Sequence, residues 1–184
     1  MSGFTLHLMR HGAPEMAGRM LGRTDCDVTD AGIAACRGKA TTIGATQLTT
    51  SDLRRARRCA AAIGKAQVDT RWRELDFGEW DGLAAGEIDR TAIAAFWNDP
   101  DACPPPGGER WSALVDRVGA AIEALSPQPT LVVTHAGAMR AAIAYLCGLP
   151  HAATWALDLP CSSVLTFNIW QDRPRRGQIA GLQA

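Results

Sequence analysis

Short β-branched runs alternate with helical patterns along most of this chain, and that alternation is its strongest constraint. Strand-like stretches fall at about 4–9, 47–50, 67–72, 130–134 and 162–170, with a weaker one near 178–182. Helices with readable ends lie between them. Thr29 caps "DAGIAACRGKATTIG", and a second helix follows Ser51 in "DLRRARRCAAAIGK". "WSALVDRVGAAIEAL" (111–125) stops at Ser126-Pro127, and "AMRAAIAYLCG" (138–148) closes at Gly148 and Pro150. Parallel neighbours need a crossover, usually a helix. The expected fold is α/β: a three-layer α/β/α sandwich around a mostly parallel central sheet. At 184 residues it suits one domain, 1–184, with a core that needs no disulfides.

Two of these strands end alike. "TLHLMRHGAP" (5–14) runs into Arg10-His11-Gly12, and "TLVVTHAGAM" (130–139) into His135-Ala136-Gly137. Ligands of such sheets bind outside the carboxyl ends of the strands, where both histidines fall.

Composition narrows the ligand. Lys+Arg and Asp+Glu balance at 19 each, which argues against a general nucleic-acid or membrane-surface binder. No apolar run approaches 18 residues, so no membrane span is expected. His7 and Arg10 interrupt the first apolar run, which therefore lacks the pattern of a secretory leader. Cysteines 26, 36, 59, 103, 147 and 161 form no Cys-x-x-Cys and read as reduced thiols of a cytoplasmic protein. Nothing in the sequence fixes an oligomeric state.

Arg-His-Gly after a strand makes sense around an anion. Arg10 offers a bidentate charge, Gly12 lets the backbone turn sharply, and a neutral His11 could attack phosphorus. "TTSDLRRARRCA" (49–60) places Arg54, Arg55, Arg57 and Arg58 at a helix start, where anions are favoured. Three of the four are expected on a solvated face. "RWRELDFGEW" (71–80) offers Glu74, Asp76 and Glu79 as general acids; burial near Phe77 and Trp80 would favour a protonated Glu74, but spacing does not choose among them. Residues 79–110 break the alternation and read as a lid-like insertion over the strand ends.

The motifs "LMRHGAP", "TSDLRRARRCA", "ELDFGEWDG", "GGER" and "VVTHAGAMR", in this order, resemble the histidine phosphatase superfamily, its phosphoglycerate-mutase-like branch, over about residues 5–170. The resemblance implies that His11 is the nucleophile of a phosphohistidine intermediate. It implies that Arg10, Arg55 and His135 grip the phosphoryl oxygens, with the amide of Ala136 as a further donor. Glu74 becomes the acid that protonates the leaving oxygen and then activates water. Without a metal, Arg10, Arg55 and, if it is protonated, His135 would stabilise the charge in flight. No metal and no cofactor are expected, and the partner is a small-molecule phosphate monoester.

Three departures from the family pattern touch substrate preference: Ala17 in place of asparagine, Cys59 in place of threonine, and Arg110 after "GGE" in place of serine. The compact size and "RHGAP" opening look like the α-ribazole phosphatase subgroup of cobalamin assembly. Trp80, Trp97 and Trp111 could stack on a heteroaromatic leaving group, although packing roles are expected for at least two. A phosphoglycerate-mutase-type phosphotransferase and a phosphate-binding scaffold without turnover are the alternatives. Other chemistries fit poorly. "DCDVT" (25–29) follows a loop-like stretch rather than a strand, no cysteine has an arginine six residues on, and no histidine pair has helical metal-ligand spacing.

Overall fold

Every residue of the strand Thr130–Thr134 is buried, as expected of a strand covered on both faces. It lies inside a six-stranded sheet of a computed structural model that describes residues 3–184. The strands are β1 (Gly3–Arg10), β2 (Gln47–Thr50), β3 (Gln67–Val68), β4 (Thr130–Thr134), β5 (Val164–Trp170) and β6 (Gly177–Gln183). The helices are α1 (Asp30–Ala40), α2 (Arg54–Ala61), α3 (Arg90–Asn98), α4 (Trp111–Ala124), α5 (Ala136–Cys147) and α6 (His151–Thr154). Strand order is β3-β2-β4-β1-β5-β6. The first four strands are parallel, and β5 and β6 add antiparallel pairs at one edge.

Side-chain alternation divides the core between the two faces. Leu6, Leu8 and Val132 meet α4 and α5 through Leu114, Val118, Ile122, Met139 and Ile143. Met9, Leu131 and Val133 meet α1 and α2 through Cys36, Ala56, Cys59 and Ala60. This is the expected sandwich.

Register places the site. Arg10 of β1 pairs with Thr134 of β4, so His11 and His135 leave neighbouring strands side by side. The His11 N–H still bonds the Thr134 carbonyl at 2.9 Å.

Local details differ from the sequence reading. β3 ends at Val68 because the Asp69 carboxylate caps a 3-10 turn, Thr70–Trp72, which drives Trp72 into the core. α2 starts at Arg54 after Leu53, with no side-chain cap, because the Ser51 hydroxyl is engaged elsewhere. Gly12 does not have a positive φ. It is small because a Cβ there would stand 2.4 Å from the backbone of Gly32 in α1. Within 79–110, α3 sends Phe96 inward, edge-on to Phe77 and Trp80. Among the described residues, no helix is long and apolar enough to cross a membrane.

Candidate active site

His11 is only 4 % exposed, and its Nδ1 lies 2.6 Å from the Gly12 carbonyl. A carbonyl can only accept, so Nδ1 carries the ring proton and Nε2 keeps its lone pair. Burial first, then the charges of Arg55 and Arg10, pull the His11 pKa down to about 3. The ring is neutral and able to act as a nucleophile at any ordinary pH.

His135, fully buried, lies with its ring centroid 5.0 Å from that of His11. Its Nε2 is 2.7 Å from the Ser51 hydroxyl, and its Nδ1 has no partner among the described residues. Burial, then Arg55, His11 and Arg10, hold its pKa well below 6.5. His135, which would add charge only if protonated, is held neutral by its burial, so the ring is a hydrogen-bonding group and the pocket's charge is arginine.

Arg55 is the one buried arginine of its cluster, 1 % exposed; Arg54, Arg57 and Arg58 face solvent, where Arg54 and Arg58 pair with Asp27. The Arg55 guanidinium donates to the carbonyls of Leu21, Gly22 and Thr24. That loop is in turn fixed by Asp81, whose carboxylate accepts the Gly22 and Thr24 amides at 2.8 and 2.6 Å. Arg10 donates through one terminal nitrogen to the Leu159 carbonyl at 2.7 Å. The Nε atoms of both arginines are buried without partners among the described residues. Unpaired buried donors are rare and call for an acceptor. Here two of them, on Arg10 and Arg55, belong to residues grouped about His11, and Nδ1 of His135 is a third unpaired buried nitrogen there.

Glu74 follows the Thr70–Trp72 turn and faces α5. Its carboxylate accepts the Leu75 amide at 2.8 Å and the Gly137 amide at 3.1 Å. Behind it, Arg117 donates to the carbonyls of Arg71, Arg73 and Glu74 and forms a two-pronged pair with Glu109. Asp76 instead pairs with Arg23 and accepts the Gly78 amide, and Glu79 is exposed. Glu74 is the carboxylate that lines the cavity beside His11.

The cavity measures about 290 Å³; Arg10, His11, Glu74 and Ala136 line it, whereas Arg55 and His135 stand behind the lining. Ala136 opens α5, where first-turn amides have no intrahelical acceptor. Ala17 also lines the cavity and brings no hydrogen bond to it. Trp80 packs in the core, whereas Trp97 and Trp111 line the cavity. At least two of the three tryptophans were expected to be packing residues, and two are: Trp80 is buried in the core and Trp111 packs against it while also lining the cavity.

Sequence reasoning missed Ser51, Asp81, Gly137, Arg140 and Trp155. Arg140 alone carried a visible signal, a lone cation within the otherwise apolar "AMRAAIAYL" of α5.

Such a pocket suits a phosphoryl group, and the class it defines is that of histidine-based phosphoric monoester hydrolases. The family follows from comparison: the profile of the histidine phosphatase superfamily (branch 1) matches residues 6–179, and the chain belongs to that family. A glucosyl-3-phosphoglycerate phosphatase of Mycolicibacterium vanbaalenii is 33% identical over 168 residues, 79% of this chain and 75% of the relative. A probable phosphoglycerate mutase of Salmonella paratyphi C is 31% identical over 179 residues, covering 86% and 82%. Among solved structures, a mycobacterial glucosyl-3-phosphoglycerate phosphatase in complex with VO3 superposes with a TM-score of 0.86 at 26% identity, covering 98% and 99%. A proposed alpha-ribazole-5'-P phosphatase of Escherichia coli gives 0.83 at 25%, covering 98% and 96%.

Proposed function

We propose that this chain hydrolyses phosphate monoesters of small metabolites through a phosphohistidine on His11, with no metal. The observation that carries this reading is the set of three unpaired buried nitrogens, on Arg10, Arg55 and His135, about a neutral His11 whose Nε2 lone pair is free.

In the first step the Nε2 lone pair attacks phosphorus, and the bond from phosphorus to the ester oxygen breaks. Glu74 gives its proton to the departing oxygen, so the product leaves as an alcohol. Arg10 and Arg55 balance the charge on the equatorial oxygens, with His135 and the Ala136 amide as neutral donors. With Ser51 as donor to Nε2 of His135, the ring proton sits on Nδ1, the atom without a partner. In the second step the Glu74 carboxylate takes a proton from water as its oxygen attacks phosphorus. The N–P bond breaks, His11 regains its lone pair, and phosphate is released.

The candidate substrate is α-ribazole 5'-phosphate, supported by the likeness to the Escherichia coli structure and by the aromatic cavity. Six free thiols suit a reducing, cytoplasmic compartment. The test is phosphate release from a panel of esters in excess EDTA, beside His11→Ala. The panel holds α-ribazole 5'-phosphate, 3-phosphoglycerate, glucosyl-3-phosphoglycerate, sugar phosphates and nucleotides. Turnover that survives EDTA and disappears in the variant is expected. Turnover abolished by EDTA, or retained by His11→Ala, would overturn the phosphohistidine route. Phosphate transfer between phosphoglycerates outpacing hydrolysis would favour the mutase alternative.

A further inference from the structure

Much of the cavity wall is apolar: Phe77, Phe96, Trp97, Trp111, Leu114 and Trp155 line the same cavity as Arg10, His11 and Glu74. Trp97 and Trp155 are 42% and 48% exposed, although large apolar side chains are usually withdrawn from water. Trp97 lies on α3 and Trp155 directly after α6, and their rings meet at right angles with centroids 5.4 Å apart. The pair is held in place: Trp97 rests on the buried Phe96, centroids 4.8 Å apart, and the Arg140 guanidinium lies 3.8 Å from the Trp155 ring centroid. These are immobilised indole surfaces beside a cavity, which bind flat ligands at little entropic cost.

The cations along this wall are already engaged. Arg140 donates to the carbonyls of Thr154 and Leu157 besides covering Trp155. Arg19 donates to the Gly82 carbonyl and pairs with Glu87. His151 accepts the indole N–H of Trp155 at 3.2 Å through Nε2, which fixes that nitrogen as unprotonated. A flat apolar group would meet aromatic surface on several sides.

We infer that the leaving group of this enzyme's substrate is an alcohol that bears a planar aromatic ring, held by Trp97 and Trp155. This rests on the phosphatase reading above and names the substrate class and its specificity residues. The wall selects ring surface.

The test compares three phosphate esters of primary alcohols, which keeps leaving-oxygen basicity similar: 2-naphthylmethyl phosphate, glycerol 3-phosphate and 3-phosphoglycerate. kcat/KM is measured for the full chain, for Trp97→Ala, Trp97→Phe and Trp155→Ala. The expected result is at least a tenfold preference for the naphthylmethyl ester over each of the others. That preference falls at least fivefold in Trp97→Ala and Trp155→Ala, mainly through KM, and is restored in Trp97→Phe. The half-exposed position of Trp97 keeps the test valid should Trp155→Ala fail to fold. Hydrolysis with equal or greater preference for 3-phosphoglycerate would overturn the inference and leave the hydrolase reading standing, as would a preference that both alanine variants retain. Absence of turnover with these three esters and with the whole panel above would overturn both.

Discussion

Gly137 and Glu74 share a space that admits no further atom: a Cβ on Gly137 would stand 2.0 Å from Oε1 of Glu74. The Gly137 amide donates to Oε2 of the same carboxylate at 3.1 Å, so the helix start both orients the acid and leaves room for it. Gly137→Ala must therefore push the Glu74 side chain out of position, while the surrounding core is untouched. General acid catalysis contributes about 100-fold to 10,000-fold, and most where the leaving oxygen is basic. Gly137→Ala is expected to lower kcat for alkyl phosphates about 100-fold and for p-nitrophenyl phosphate less than about tenfold. Glu74→Gln should reproduce the pattern. Equal losses on both esters would take Glu74 out of the acid role.

Arg117 should support the same carboxylate from behind. Its fork holds three carbonyls of the segment 71–74 and both oxygens of Glu109. A lysine has one point of charge and cannot reproduce that geometry. Arg117→Lys is expected to cost about 2–3 kcal/mol in urea unfolding, because backbone acceptors and a partly buried carboxylate lose their donors. kcat should fall about tenfold with KM little changed. A variant as stable as the parent would show that water replaces the clamp.

Much of this was legible in the sequence, for physical reasons. β1 and β4 are read from β-branched runs, and their parallel pairing brings His11 and His135 together once the register is Arg10 to Thr134. The buried arginine among Arg54, Arg55, Arg57 and Arg58 was not readable from composition. It depends on the carbonyls of Leu21, Gly22 and Thr24, which Asp81 fixes from about sixty residues away. The charge state of His135, left open by the sequence, depends on burial depth, a tertiary quantity: the ring is fully enclosed, and desolvation holds it neutral. The aromatic rim was half visible, since Trp97 was noted but Trp155 needed α6 to deliver it.

Cys59 offers a test of the loop that carries His11, the proposed nucleophile. Its sulfur accepts the Gly12 amide at 3.3 Å, and the Gly12 carbonyl holds Nδ1 of His11. Its hydrogen bond with Cys36, then burial, raise the Cys59 pKa, so the group acts as a neutral thiol. Cys59→Ala leaves a buried amide without an acceptor, a loss of about 1–3 kcal/mol. kcat should drop about threefold to tenfold as the ring loses its orientation. Cys59→Thr, which restores an acceptor on a similar volume, should recover most of both. Stability and kcat unchanged in Cys59→Ala would mean that the sulfur contact is incidental.

The depressed pKa of His11 also makes a prediction about stability in acid. Unfolded, the histidine titrates near 6.5; folded, it titrates at about 3. Between those values the unfolded chain binds a proton that the folded chain refuses, so falling pH favours unfolding. The stabilisation is complete above pH 6.5 and is lost progressively down to pH 3, with a total on the order of 5 kcal/mol for this group. His135, also lowered, acts in the same direction. Between pH 7 and pH 4 the parent should lose on the order of 3 kcal/mol more unfolding free energy than His11→Gln, which has no proton to take up. Urea midpoints of both proteins at the two pH values decide it. Parallel losses would mean that His11 titrates normally in the folded state, and the neutral nucleophile at low pH would have to be abandoned.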